Sequence, residues 1–192
     1  MVVVGAAAVM SGVWACAGDD SDARDVNPQG TALTSASTLP PETTQAPSSD
    51  LVRPEGFERV AATIAAADGT VCEVCLWLAE TGDQRSRGLM GVTDVGTSDG
   101  TAEGMAFVYS RPHTGTFWMK NTLLPLSIAF FAESGEYLSS FDMEPCTAEP
   151  CATYPTAPDF TVAIEVPQGN LPSLAIAEGS NLDLTSLPCT EN

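Results

Sequence analysis

Between residues 57 and about 187 the apolar residues come in short runs punctuated by glycine and proline, a rhythm that commits the chain to a β fold. Runs over 59–66 and 70–78 flank Asp68-Gly69, a dipeptide suited to a hairpin turn. Further strands are expected over 105–109, 116–120, 126–132, 137–143, 160–166 and 182–184, with Ser134-Gly135 turning between two of them. One helix interrupts the series. Thr81 followed three residues later by Gln84 forms a capping box, and Gln84 to Met90 continue from it. Residues 91–103 read as a Gly/Asp/Thr loop. About eight short strands and one short helix predict a mainly β architecture, a single compact domain that is sandwich-like or a small barrel.

The chain has 192 residues, enough for one domain with a substantial core and too few for two of ordinary size. Its 7 basic and 25 acidic residues give a net charge of −18. Such a surface repels polyanions, so no nucleic-acid partner is expected.

The N-terminus speaks to location. Val2 through Ala15 are uncharged and mostly apolar, and the run ends at Cys16. It is too short to span a bilayer of roughly 30 Å as a helix but fits the apolar core of a signal peptide. Val13-Trp14-Ala15-Cys16 resembles a bacterial lipobox, with Trp14 bulkier than usual and no Lys or Arg before Arg24. Residues 1–15 are therefore expected to be a lipoprotein signal peptide, and Cys16 the lipidated residue that anchors an extracytoplasmic protein to the cell membrane. Residues 16–54 are rich in Asp, Ser, Thr and Pro and poor in aromatics. They bury too little apolar surface to offset ordering entropy and are expected to be a disordered tether. The β-rich domain then occupies 55–192.

Within the domain, Phe117-Trp118-Met119-Lys120-Asn121-Thr122 places the chain's single Lys beside a Trp. In an extended strand Trp118 and Lys120 share one face, Met119 and Asn121 the other. Beyond residue 54 there are 19 acidic residues and 5 basic ones, Arg59, Arg85, Arg87, Arg111 and Lys120. Acidity is spread widely, whereas the cations are concentrated. If the helix lies near the Trp118 strand, Arg85, Arg87 and Lys120 form an electropositive pocket with an aromatic wall, suited to an anionic small molecule or an acidic polysaccharide. Alternatively, each cation pairs with a nearby carboxylate and simply orders the fold, Glu165 being the natural partner because it sits in an otherwise apolar strand.

Four blocks occur in order: Arg85-Ser86-Arg87-Gly88-Leu89-Met90, Gly104-Met105-Ala106-Phe107-Val108-Tyr109, Phe117 to Thr122 with Pro125-Leu126, and Glu165-Val166-Pro167-Gln168-Gly169. With Cys146, Cys151 and Tyr154 between them, they resemble the domain of unknown function 192 family over roughly residues 70–185. The resemblance implies a compact β-rich, sandwich-like domain without an accepted activity, often secreted or lipid-anchored. Members of that family usually carry Asp after the Pro-Leu pair, where this chain has Ser127. The candidate ligand pocket then comprises Arg85, Arg87, Trp118, Lys120, Asn121 and Glu165.

With Cys16 lipidated, five cysteines remain. Cys146 and Cys151 lie in a Pro-bounded loop in an oxidising compartment, so a disulfide between them is expected. Cys72 and Cys75 are separated by about 10 Å if the chain is extended, beyond the reach of a disulfide. One of the two is expected to bond Cys189. A thioredoxin-type role would need a helix N-terminus instead.

Catalytic signals are sparse. The single histidine, His113, excludes any site needing two from this chain and is expected in an exposed turn. No phosphate loop, nucleophile elbow, metal-ligand spacing or cofactor motif is present, so neither metal nor cofactor is expected. Two readings follow. The first is a lipid-anchored binding or accessory module of the cell envelope. The second is a carboxylate-dependent hydrolase of an envelope polysaccharide, drawing its carboxylates from Asp142, Glu144 and Glu165.

Overall fold

The computed structural model describes residues 51–185 together with Cys189. The expected signal peptide, Cys16 and nearly all of the expected tether lie outside the described residues. Nine strands are present: β1 (Glu58–Ala65), β2 (Val71–Ala79), β3 (Gly104–His113), β4 (Thr116–Trp118), β5 (Leu126–Phe131), β6 (Tyr137–Met143), β7 (Thr153–Pro155), β8 (Phe160–Pro167) and β9 (Asn181–Leu184). One short helix, α1 (Gly82–Arg87), follows β2, and a 3-10 turn spans Pro172–Leu174.

Seven strands form one mixed sheet in the order β6-β5-β8-β3-β2-β1-β9, and β4 pairs with β7 in a separate ribbon. The β1–β2 hairpin turns at Asp68-Gly69, where the Asp68 carboxylate accepts from the Thr70 amide at 2.8 Å. β2 and β3 run parallel, so the chain must cross over between them, and residues 80–103 do so through α1 and the Gly-rich loop. The two edges of the sheet approach at one bridge, Glu136 to Asn181, and the Leu182 amide donates to the Gly135 carbonyl at 2.8 Å. The sheet thus curls toward a barrel without closing into one.

Both faces of this sheet are covered, and β5 is buried along its whole length as a result. Leu126, Ile128 and Phe130 enter one core with Met105, Phe107 and Phe160, under Phe57, Leu89, Val92, Val95 and Met119 from the covering segments. Ala129 and Phe131 enter the other, with Val60, Ile64, Val74, Leu76, Ile164 and Val166, where Leu171, Leu174 and Ile176 also pack. Each large side chain buried this way contributes roughly 1.5–3 kcal/mol. Phe130 and Phe160 meet edge to face at 5.0 Å, the arrangement ring quadrupoles favour.

The helix forms as its capping box requires: the Gln84 amide donates to Thr81 Oγ1 at 3.2 Å, and the Thr81 amide donates to Gln84 Oε1 at 3.0 Å. Contacts with the domain already begin at Val52, inside the span assigned to the tether. The Val52 carbonyl accepts from the Thr93 and Asp94 amides, and Arg53 bridges Asp94 and Asp99, each at 2.9 Å. The Arg53 and Thr101 hydrogen bonds hold the Asp99 carboxyl down to about 2.

Two disulfides are formed among the described residues. Cys146 bonds Cys151, as expected, and Cys189 bonds Cys75. These bridges point to a non-cytoplasmic location. Among the described residues no helix is long and apolar enough to cross a membrane.

Candidate functional site

Glu165 stands opposite Met105 on β3 and Ile128 on β5. Directly opposed residues share a face of the sheet, so its side chain enters the core that α1 and the β4 segment cover. It is 5 % exposed. Burial pushes its carboxyl up to about 8. No protein group among the described residues hydrogen-bonds it, and since no side-chain oxygen there is both fully buried and unmatched, its oxygens open to the chamber described below. β3 can approach here because residue 104 is glycine: a Cβ on Gly104 would fall 2.1 Å from the Glu165 carbonyl oxygen.

The helix brings the arginines to the same place. Gly88 takes a positive φ of 48°, and its missing side chain lets the helix end lie against the Phe107 ring. Arg85 donates to the carbonyls of Glu80 and Val108, the latter at 2.8 Å, and lies 4.5 Å over the Tyr109 ring. Arg87 donates to the Glu55 carbonyl and lies 4.4 Å over Phe57. Neither guanidinium pairs with a carboxylate among the described residues. Both are fixed in position by groups that leave their charge uncompensated. The expectation that Glu165 would pair with one of them does not hold; carbonyls and aromatic faces take that role. Tyr109 registers the local field: burial raises its phenol, Arg85 opposes that and Glu165 adds to it.

Arg85, Arg87, Phe117, Trp118 and Glu165 line one narrow chamber of about 30 Å³, room for about one water-sized group. A wider groove of about 340 Å³ adjoins it, lined by Gly82, Arg85, Ser86, Tyr109, Thr116, Phe117 and Trp118. The two share Arg85, Ser86, Phe117 and Trp118, so together they form a cleft with a carboxyl at its floor, guanidiniums beside it and an indole as wall. Trp118 is 48 % exposed.

Lys120 and Asn121 stand outside this lining. The strand expected over 116–120 ends at Trp118, and Lys120 and Asn121 form a turn in which Asn121 adopts φ 56°. Asn tolerates that left-handed conformation better than most residues. Lys120 nevertheless stands over the Trp118 indole, its amine 5.5 Å from the ring, reaching it from a turn after β4 rather than along a strand, and it pairs with Glu149 at 3.2 Å. His113 is exposed as expected but ends β3 rather than occupying a turn, and it stacks on Tyr109 at 4.4 Å. Tyr109 lines the groove without having been singled out from the sequence, although it closes a motif block, while Phe117 joins Trp118 there as an aromatic platform for a ring would.

Asp142 and Glu144 are elsewhere. The register pairs Ser127 with both Asp142 and Val166, one residue out of phase with Ile128 and Glu165. Asp142 and Glu165 thus lie on opposite faces of the sheet. The Gln168 amide nitrogen donates to Asp142 at 3.2 Å and to Glu144 at 3.1 Å, gathering those two carboxylates away from the cleft.

A family model, DUF192, described as an uncharacterized ACR, matches residues 63–184. The chain belongs to this family. All of the DUF192 match falls within the sheet-bearing part, and it includes every residue of the cleft named above. No curated protein matches the chain. Among solved structures, it is similar to a "putative transcription regulator" from Sinorhizobium meliloti, at 24 % identity and a TM-score of 0.59, covering 67 % of this chain and 95 % of that one. It is also similar to a protein of unknown function from Novosphingobium aromaticivorans, at 26 % identity and a TM-score of 0.55, covering 67 % and 87 %. These likenesses establish a shared fold.

Proposed function

We propose that this DUF192 protein is a non-catalytic binding or accessory module of the bacterial cell envelope. A lipid on Cys16 holds it to the membrane, the Ser/Thr/Pro-rich stretch up to residue 50 serves as a tether, and the cleft at Arg85, Arg87, Trp118 and Glu165 receives the ligand. The observation that carries this reading is Glu165, a carboxyl on a core strand that no protein group hydrogen-bonds among the described residues and that lines a chamber. A carboxyl open to a chamber and not used by the fold's own hydrogen bonds is free to bond a ligand, which favours a recognition role over a purely structural one. The two disulfides support the extracytoplasmic part of the proposal.

The hydrolase reading needs two carboxylates about 5–9.5 Å apart across a bound sugar. The cleft holds one, and the other two candidates are gathered by Gln168. Binding is accordingly the reading taken forward.

Two measurements test it. Expressed in a bacterial host, the wild-type protein should fractionate with membranes and incorporate labelled fatty acid, and Cys16→Ser should release it. A fragment screen by thermal shift should find compounds that raise the melting temperature, because anything binding only the folded state must do so. Wild-type protein that takes up no label defeats the anchor, and a screen without a hit in the cleft defeats the binding role.

A further inference from the structure

The shape and polarity of the cleft narrow its ligand to one chemical class; this step rests on reading the cleft as a binding site. The inner chamber admits about one water-sized group, so the part of a ligand that reaches Glu165 is a single small polar head. Arg85 spends one nitrogen on two carbonyls, and Arg87 spends one on Glu55. A guanidinium has five N–H donors, so each keeps donors and full charge for an incoming anion. Neither has a carboxylate partner among the described residues. The outer groove has Trp118 and Phe117 along its wall and room for a ring.

We infer that the cleft binds a carboxylate carried on a six-membered ring, with one carboxylate oxygen accepting a hydrogen bond from the Glu165 carboxylic acid, Arg85 and Arg87 compensating the charge, and the ring lying along Trp118. An acid and a carboxylate share one proton between two oxygens, a charge-assisted bond stronger than a neutral one. Glu165 must be protonated to donate, and burial keeps it so up to about pH 8. The titratable and charged groups facing it are Arg85 and Arg87 from α1 and Tyr109 from β3, while β5 and β4 present Ile128 and Trp118, which do not titrate. A uronic acid and an aromatic acid both meet this description, and the experiment separates them.

The test is an NMR titration of the full folded domain with D-glucuronate, benzoate, D-glucose and inorganic phosphate, following the Trp118 indole signal. Saturable shifts are expected with glucuronate, benzoate or both, and none with glucose or phosphate at the same concentrations. Glucuronate alone identifies a sugar acid, benzoate alone an aromatic acid, and both together a site that reads the head group. Arg87→Ala, at an exposed position, should weaken binding by about tenfold or more, as loss of one charge-assisted contact does. In the wild type affinity should fall as pH rises past 8, and Glu165→Gln, whose amide also donates, should bind without that fall. Binding by glucose or phosphate as strong as by the acids, or a pH profile unchanged in Glu165→Gln, overturns the carboxylate assignment while leaving a binding cleft in place. Silence from the acids when neutral or cationic fragments still shift Trp118 overturns it in the same way. Silence from all four probes and from every screened fragment brings down the binding reading as well.

Discussion

Ser127 and Asp142 face each other across β5 and β6, and the Ser127 hydroxyl donates to the Asp142 carboxylate at 2.5 Å. The same hydroxyl oxygen accepts from the Gly169 amide at 2.9 Å. Ser127 occupies the position after Pro-Leu where the family usually has Asp. A carboxylate is present at this place in the fold, on the adjacent strand.

Exchanging the pair should therefore be tolerated where single changes are not. Ser127→Ala removes a buried hydroxyl, 1 % exposed, that bonds both Asp142 and the Gly169 amide; those two are exposed and Asp142 keeps Gln168, so the change should cost about 0.5–1.5 kcal/mol. Ser127→Asp places two carboxylates face to face, and mutual repulsion raises the pKa of one. That variant should lose stability as pH rises from about 5 to 8, and Ser127→Asp with Asp142→Ser should recover most of the loss. Urea melts at the two pH values check both outcomes.

Glu165 gives a stability prediction of the opposite kind from an ordinary surface carboxylate. Its folded pKa, about 8, lies above its ordinary value of 4.5. The folded state thus holds a proton that the unfolded state has released, and stability falls as pH rises through the window between those values. Below it the burial of a neutral acid carries no such penalty; above it the penalty is complete. In Glu165→Gln this part of the pH dependence should vanish, and at pH 8 the variant should melt several degrees above wild type, roughly 3 °C or more. Calorimetry between pH 5 and 8 decides, and parallel curves for the two proteins would refute the assignment.

The fold was largely legible from the chain, and the site only in part. The Asp68-Gly69 turn, the Thr81–Gln84 cap and the Cys146–Cys151 bridge are local, so neighbouring residues alone specify them. β7 escaped notice because three residues, Thr153–Pro155, carry no periodicity and gain their strand character only by pairing with β4. The parallel β2–β3 pairing depends on the crossover and leaves no local mark. Arg85, Arg87, Trp118 and Glu165 meet because β8 lies between β3 and β5 beneath α1, a matter of topology. Lys120 lies over the Trp118 indole as expected, but from a turn, because β4 ends at Trp118 and strand alternation stops there.

Lys120 should prove nearly dispensable. Its ion pair with Glu149 is exposed, at 41 % and 62 % for the two side chains. Pairs of that kind contribute about 0–1 kcal/mol. Lys120→Ala should shift the denaturation midpoint little and leave ligand-induced changes at Trp118 intact. A loss of binding in this variant would return Lys120 to the site.

Cys189 should matter more than its place near the end of the chain suggests. Its bond to Cys75 closes a loop with a sequence separation of 114. Constraining so long a segment in the unfolded chain contributes on the order of 3–5 kcal/mol. Cys189→Ser should lower stability by an amount in that range, measured in denaturant against the oxidised wild type.

The ribbon of β4 and β7 belongs to a different sheet from the one that carries Glu165. The floor of the cleft is consequently locked into a core where any change disturbs two packed faces, whereas its indole wall rides on six residues whose ladder involves no other strand. Evolution can resize or re-chemise that wall by lengthening, shortening or rewriting the ribbon without renegotiating the sheet. A change in the ribbon thus alters the wall while the ladder of the seven-stranded sheet stays as it is.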